Sequence, residues 1–128
     1  MWLIWGMMVG FANAGALDVE IKANNSKPSH FVMEGISLCY DQAFEFTDPN
    51  GVKNDVHVWV RPVKNSELIS VRVNVERDTK GLVVGASPVF TLTNGQRGRL
   101  VTDEYAITVK ANDFVGEQAC EYLSLIHI

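Results

Sequence analysis

The sequence has no run of charge of one sign. Its 11 basic and 15 acidic residues are mixed along 128 positions and give a formal net charge of −4. Nucleic-acid binding requires Lys and Arg clustered on one face, so we expect no nucleic-acid partner. A chain of this length fits one domain and is too short for two ordinary ones.

The sequence also lacks the motifs of common catalytic and metal sites. It contains no H-E-x-x-H pair, no G-x-S-x-G elbow, no phosphate loop and no calcium loop. His30 and His57 are far apart and have no cysteine or carboxylate at zinc-ligand spacing. We therefore predict that the chain is not an enzyme and has no catalytic residue, metal or cofactor.

Several acidic residues flank predicted turns, and they are Asp48, Asp55, Asp103 and Glu104. A calcium site needs several oxygen ligands that converge from one loop. We interpret Asp103 and Glu104 as a solvated hairpin end.

Cysteine is scarce, with only Cys39 and Cys120 in the chain. In an oxidising compartment these two residues can form one disulfide that closes a loop of about 80 residues, which contributes on the order of 4 kcal/mol in the chain-entropy model. Alternatively, Cys39 is a small buried core residue and Cys120 is free or paired elsewhere.

The first sixteen residues, MWLIWGMMVGFANAGA, carry no charge and end in small residues with two A-x-A patterns. This is typical of a signal peptide that is cleaved after Ala14 or Ala16. The segment is shorter than the roughly 20 residues that span a bilayer. We therefore expect a periplasmic or secreted protein with no stable membrane anchor after cleavage. Because the segment has no Lys or Arg, either the signal is atypical or Met1 is not the true start. The alternative to a signal peptide is a buried N-terminal helix of the domain.

The last six residues, LSLIHI at positions 123–128, match a reading frame of a DNA-sequencing library adapter. We interpret them as a non-native tail, so His127 is excluded from any site. The alternative is a genuine apolar β-strand, which Leu125, Ile126 and Ile128 would suit.

Between these ends, apolar and polar residues alternate with a period of two, which is typical of half-buried strands. In DVHVWVRPV the valines 56, 58 and 60 alternate with His57, Trp59 and Arg61, and LISVRVNVERD repeats the pattern. These two segments are predicted to pair as an antiparallel hairpin with their valines in the core. DPNG, DTKG and NGQRG are predicted as turns.

Further strands are predicted in LDVEIKA, HFVMEGISLCY, QAFEFTD, LVVGASPVFTLT and YAITVKA. About seven or eight short strands with a turn every 8–12 residues indicate an all-β antiparallel sandwich. We assign residues 1–16 to the signal peptide, 17–122 to the sandwich and 123–128 to the tail.

The segment VRVNVERDTKGLVVGASPVFTLTNGQRGRLVTDEYAITVKA resembles small exported β-domains of Gram-negative bacteria, like those in the periplasmic tails of sensor-type membrane metallopeptidases. Its SPVFTLTNGQ portion is also similar to a hairpin of outer-membrane secretins. The resemblance implies a periplasmic β-domain. It carries over no activity, because the chain has no H-E-x-x-H motif and no secretin-length sheet.

The candidate binding face consists of His57, Trp59 and Arg61, which share one side of a predicted strand. An exposed tryptophan beside a cation suits a sugar ring, a peptide or a partner strand. Alternatively, Trp59 covers the second face of the sandwich and the other two residues are solvated neighbours.

The leading hypothesis is an exported, non-catalytic module that contacts an unidentified protein through a strand edge or the Trp59 face. One alternative is a carbohydrate-binding or adhesin-like module that uses Trp59. Another is a fragment of a larger exported enzyme or secretin-like protein.

Overall fold

The computed structural model describes residues 15–23 and 26–114, which contain nine β-strands. The strands are β1 Gly15–Ala23, β2 Ser29–Ile36, β3 Asp41–Thr47, β4 Lys53–Pro62, β5 Ile69–Thr79, β6 Leu82–Ala86, β7 Val89–Leu92, β8 Arg97–Val101 and β9 Tyr105–Asn112. No helix that is long and apolar enough to cross a membrane occurs in these residues.

The strands form two antiparallel sheets. Sheet A has the strand order β2-β1-β9-β8, and sheet B has the order β3-β4-β5-β6, with β7 also paired to β5. β6 and β7 pair with successive parts of β5 and are separated by Ser87 and Pro88. The carbonyl oxygen of Pro88 accepts a 3.1 Å hydrogen bond from the Val73 amide, so β5 keeps a partner across the break.

The core lies where the period-two pattern predicts it. Val58 pairs with Val73 across β4 and β5, and both are fully buried, which confirms the predicted hairpin. The inward sides of β1 and β9 contribute a matching set of buried residues from sheet A, namely Leu17, Val19, Ile21, Tyr105, Ile107 and Val109. The predicted all-β character is therefore confirmed, and the two sheets suit a sandwich.

Aromatic side chains close the two open sides between the sheets. On one side the Phe31 ring of β2 lies 5.2 Å from the Phe44 ring and 5.0 Å from the Phe46 ring of β3. On the other side Phe90 of β7 packs against Gly98 of β8, where a Cβ atom would lie only 2.5 Å from the Phe90 ring. Both contacts join strands at the borders of different sheets.

The prediction missed one strand. NGQRG was predicted as a turn, but the turn centres on Asn94 and Gly95, which has a φ of +85°, and β8 begins at Arg97. In RGRLV the inward positions are Gly98 and Leu100, so the segment lacks the apolar alternation that marks the other strands. The strand pairs with β9, and its Gly98 leaves room for the Phe90 ring, a tertiary contact that the local sequence does not reveal.

The predicted signal peptide and the predicted tail lie almost wholly outside the described residues; Gly15 and Ala16 already belong to β1. Cys39 is not a free cysteine, but Cys120 is outside the described residues. Their pairing therefore stays a prediction.

Candidate functional site

The structure places His57, Trp59 and Arg61 on the outer face of sheet B, opposite the buried valines of β4. His30 lies on sheet A instead, where its Nε2 atom contacts the carboxylate of Asp18. The two internal histidines therefore occupy different sheets, in keeping with their distance in the sequence.

Trp59 is half-buried by its neighbours on this face. The His57 ring stacks on the indole with a centroid separation of 3.7 Å and an interplanar angle of 17°. The Arg72 guanidinium lies 5.2 Å from the indole centroid, and its Nε donates a hydrogen bond to Ser87 Oγ. A sugar ring would therefore compete with side chains that already pack on the indole.

Asp41 of the edge strand β3 links the predicted face together. Its carboxylate contacts His57 Nε2 and lies 3.8 Å from an Arg61 guanidinium nitrogen. Sequence reasoning missed Asp41 and Arg72, although both are Cα partners of Trp59 in the ladder. Only the register of β3 and β5 against β4 places these two residues beside Trp59.

Next to this face is a row of three carboxylates, which we call the acidic row: Glu45, Asp55 and Glu76. Glu45 pairs with Asp55 and Asp55 pairs with Glu76, so the three residues lie side by side on β3, β4 and β5. Like charges directly opposite each other are destabilising in a sheet. Lys53 approaches Glu45 at 3.9 Å, and within the described residues Asp55 and Glu76 have no ion pair.

The acidic row borders a shallow depression of about 410 Å³ that is also lined by His57 and Asn74. Among the residues that the structure describes, no group of three His, Cys, Asp or Glu side chains converges closely enough to hold a metal ion. The depression is therefore an acidic part of the surface, and the described part of the chain forms no metal site there.

The row ends at Gly85 of β6, which is the Cα partner of Glu76. β6 is the last strand of sheet B, and no described strand pairs with its far side, which we call the β6 edge. The other border strands carry charges that discourage strand pairing, such as Glu34 in β2, Glu45 in β3 and Arg99 in β8. By contrast, residues 81–96 contain no charged side chain.

The hairpin turn between β5 and β6 fixes which backbone groups point outward. Lys80 and Gly81 both have positive φ angles, +54° and +81°, as a two-residue type I′ turn requires. In such a hairpin the residues that flank the turn exchange both hydrogen bonds, and the pattern then alternates. The N–H and C=O groups of Val83 and Gly85 therefore point away from β5, toward the β6 edge.

Apolar side chains are exposed along the same border of sheet B. Leu82 and Val83 are 66% and 61% exposed, and Val89 of β7 is 58% exposed. Single exposed apolar residues are ordinary, but these three belong to one uncharged segment beside unpaired backbone groups. The combination distinguishes this border from the other three.

A separate polar cluster lies between the sheets. The Asp48 carboxylate accepts hydrogen bonds from the Asn50 and Val52 amides and from the Asn54 side chain. Asp48 is 4% exposed and Asn54 is fully buried, so the expectation of a turn-flanking acid was incomplete. Arg77 lies 3.9 Å from the Asp48 carboxylate.

Arg77 also binds Glu104, with 3.1 Å between a guanidinium nitrogen and the carboxylate. Asp103 and Glu104 do lie at the hairpin end between β8 and β9, but the sequence did not show that the partly exposed Glu104 carboxylate pairs with Arg77 of β5. The Arg77 guanidinium lies 5.1 Å from the Tyr105 ring, and burial raises the pKa of Tyr105 to about 12 against the opposing effect of Arg77. The Arg77 Nε atom is buried and has no hydrogen-bond partner among the described residues. Because the contacts of this cluster join the two sheets, we assign it a structural role.

Comparison with known proteins adds no relative to this description. No protein-family model, curated protein or solved structure matches the chain.

Proposed function

We propose that this chain is a non-catalytic β-sandwich module that acts by binding another protein, and that the β6 edge is its contact strand. The main support is the position of β6 at the border of sheet B. No described strand pairs with its outer side, and none of its residues is charged. An exposed strand of this kind is a template for a further strand. Proteins use it to bind extended segments through main-chain hydrogen bonds.

Two features of the β6 edge support strand addition over a flat surface contact. Val83 and Gly85 offer outward N–H and C=O groups, and the type I′ turn at Lys80 and Gly81 holds them in register. The exposed side chains of Leu82 and Val83 offer apolar surface to the added strand. Each buried main-chain hydrogen bond contributes about 1 kcal/mol, so two to four bonds plus this surface suit a moderate, reversible complex.

The test uses the full chain, labelled with ¹⁵N, and a blocked nine-residue peptide in which valine alternates with lysine. We expect peptide-induced shifts at the amides of β6 and weak or absent shifts in β2. Val83→Pro removes an outward donor and spares the bonds to β5, so it should weaken binding at least tenfold. Val83→Thr keeps the backbone donor and is the matched control. Equal binding by both variants would contradict the proposal.

Export remains part of the proposal. It is supported by the uncharged apolar segment at positions 1–16 and its A-x-A patterns. Expression in a Gram-negative host, followed by fractionation and N-terminal sequencing, tests it. A periplasmic product that begins at residue 15 or 17 would support export, and an uncleaved cytoplasmic product would contradict it.

A further inference from the structure

We infer that the partner strand carries a lysine or arginine at the position that pairs with Gly85, with an apolar residue next to it. This inference rests on the proposed strand addition at the β6 edge. The partner would be an extended segment with basic and apolar residues, because the surface that it would join is acidic.

The register of sheet B supplies the first step. Glu45, Asp55, Glu76 and Gly85 lie side by side on four consecutive strands. Directly paired residues of neighbouring strands point to the same face of a sheet. A partner residue opposite Gly85 would therefore extend this row on the outer face and become its fifth member.

Gly85 has no side chain, so the space on the outer face between the partner residue and Glu76 is empty. Strands lie about 4.8 Å apart, so the two Cα atoms would be roughly 10 Å apart, a distance that a lysine and a glutamate side chain can bridge together. Any residue with a Cβ atom at position 85 would place that atom 2.8 Å from the Val75 carbonyl oxygen. The close approach of β5 and β6 thus requires the glycine that opens this path.

The charges supply the third step. Asp55 and Glu76 have no ion-pair partner in the described part of the chain, and Lys53 lies 3.9 Å from Glu45. A cation from a partner strand would offset the repulsion between the adjacent carboxylates. An acidic partner residue at the same place would add a fourth like charge to the row.

The partner residues that point to the inner face of the sheet should be apolar. The partner residue beside the basic one would point to the inner face, as Leu82 and Val84 do. On the Leu82 side, that residue would pair with Val84, and the next inward residue of the added strand would pair with Leu82, which is 66% exposed and would be covered by an apolar side chain. A second copy of this chain fits less well, because the uncharged β6 edge offers no basic residue to the acidic row.

The experiment compares three blocked nine-residue peptides in which valine alternates with lysine, threonine or glutamate. Binding to the full chain is measured by isothermal titration and by ¹⁵N shifts at β6. We expect the lysine peptide to bind about five times more tightly than the threonine peptide, and the glutamate peptide to bind most weakly; an exposed ion pair changes affinity by roughly 1.4- to 5-fold.

Two variants separate local contact from net charge. Glu76→Gln should weaken lysine-peptide binding about threefold and leave threonine-peptide binding unchanged. Glu67→Gln makes the same charge change before the start of β5, roughly 30 Å from Glu76 along the extended chain, and should have a smaller effect.

The outcomes distinguish this inference from the proposed function. Equal binding of the three peptides at β6 would overturn the basic preference and keep strand addition. Equal effects of the two variants would also overturn it, because net charge alone would then explain the preference. Absence of binding by every peptide would overturn both, and a β6-mediated dimer in sedimentation would identify a second copy as the occupant.

Discussion

The Tyr105 hydroxyl donates a 2.7 Å hydrogen bond to Asn54 Oδ1 and so joins the two sheets through their interior. Tyr105 lies at the start of β9 in sheet A, and Asn54 lies near the start of β4 in sheet B. Both residues are almost fully buried. An unsatisfied polar group in such a place costs free energy, so this bond constrains how the sheets align.

We predict that Tyr105→Phe lowers the free energy of unfolding by about 1–3 kcal/mol. The substitution keeps the ring but leaves the side-chain oxygen of Asn54, Oδ1, buried without the hydroxyl that donates to it. Urea unfolding of the full chain measures the change. Tyr40→Phe is the control, because the Tyr40 hydroxyl makes no hydrogen bond with a described residue, and an equal loss in both variants would argue against the role of the bond.

Alkaline pH should weaken the fold through Tyr105. Burial raises the pKa of Tyr105 from 10.0 to about 12, so the folded state holds the phenolic proton more tightly than the unfolded state. The associated stability is present below pH 10 and is lost as the pH rises toward 12, by up to about 3 kcal/mol. Thermal unfolding from pH 8 to 11 tests this, and the decline should be shallower in Tyr105→Phe.

Arg77→Gln should be more damaging than Glu104→Gln. Loss of the guanidinium leaves the buried Asp48 carboxylate without a nearby cation, which costs about 3 kcal/mol or more. Glu104 is 41% exposed in its side chain, so its loss costs about 1 kcal/mol or less. Unfolding in urea ranks the two variants, and the reverse order would contradict the structural role of the Arg77 cluster.

Trp59→Ala should leave peptide binding at β6 within about twofold of the unchanged chain. Trp59 is on β4, and β5 separates it from the contact strand. The same variant would abolish sugar binding if the chain were a carbohydrate-binding module, because stacking on the indole would be lost. Titration with the valine–lysine peptide and a glycan array with both proteins distinguish these functions.

The sequence predicted the parts of the fold that depend on local alternation. The β4–β5 hairpin follows from two valine ladders, and the break between β6 and β7 follows from Pro88. β8 could not be predicted in this way, because one of its inward positions is Gly98, where an apolar side chain would clash with the Phe90 ring of β7. Asp48 was equally inaccessible, since its partner Arg77 is distant in sequence.

The candidate site divides in the same way. Alternation predicted that His57, Trp59 and Arg61 share a face, which the register of β4 shows. The acidic row and the β6 edge require the strand order, because residues on four strands become neighbours only when the sheet is assembled. Knowing which strand lies at the border of a sheet is a long-range property that no single segment contains.

Amide hydrogen exchange at Val83 and Gly85 tests the central claim most directly. Their N–H groups point to the β6 edge, whereas the Val84 N–H points to β5. In the full chain alone we predict fast exchange at Val83 and Gly85 and slow exchange at Val84, and saturating valine–lysine peptide should slow the first two amides at least tenfold. If both amides are already protected in the free chain, or stay fast with the peptide bound, β6 is not the contact strand.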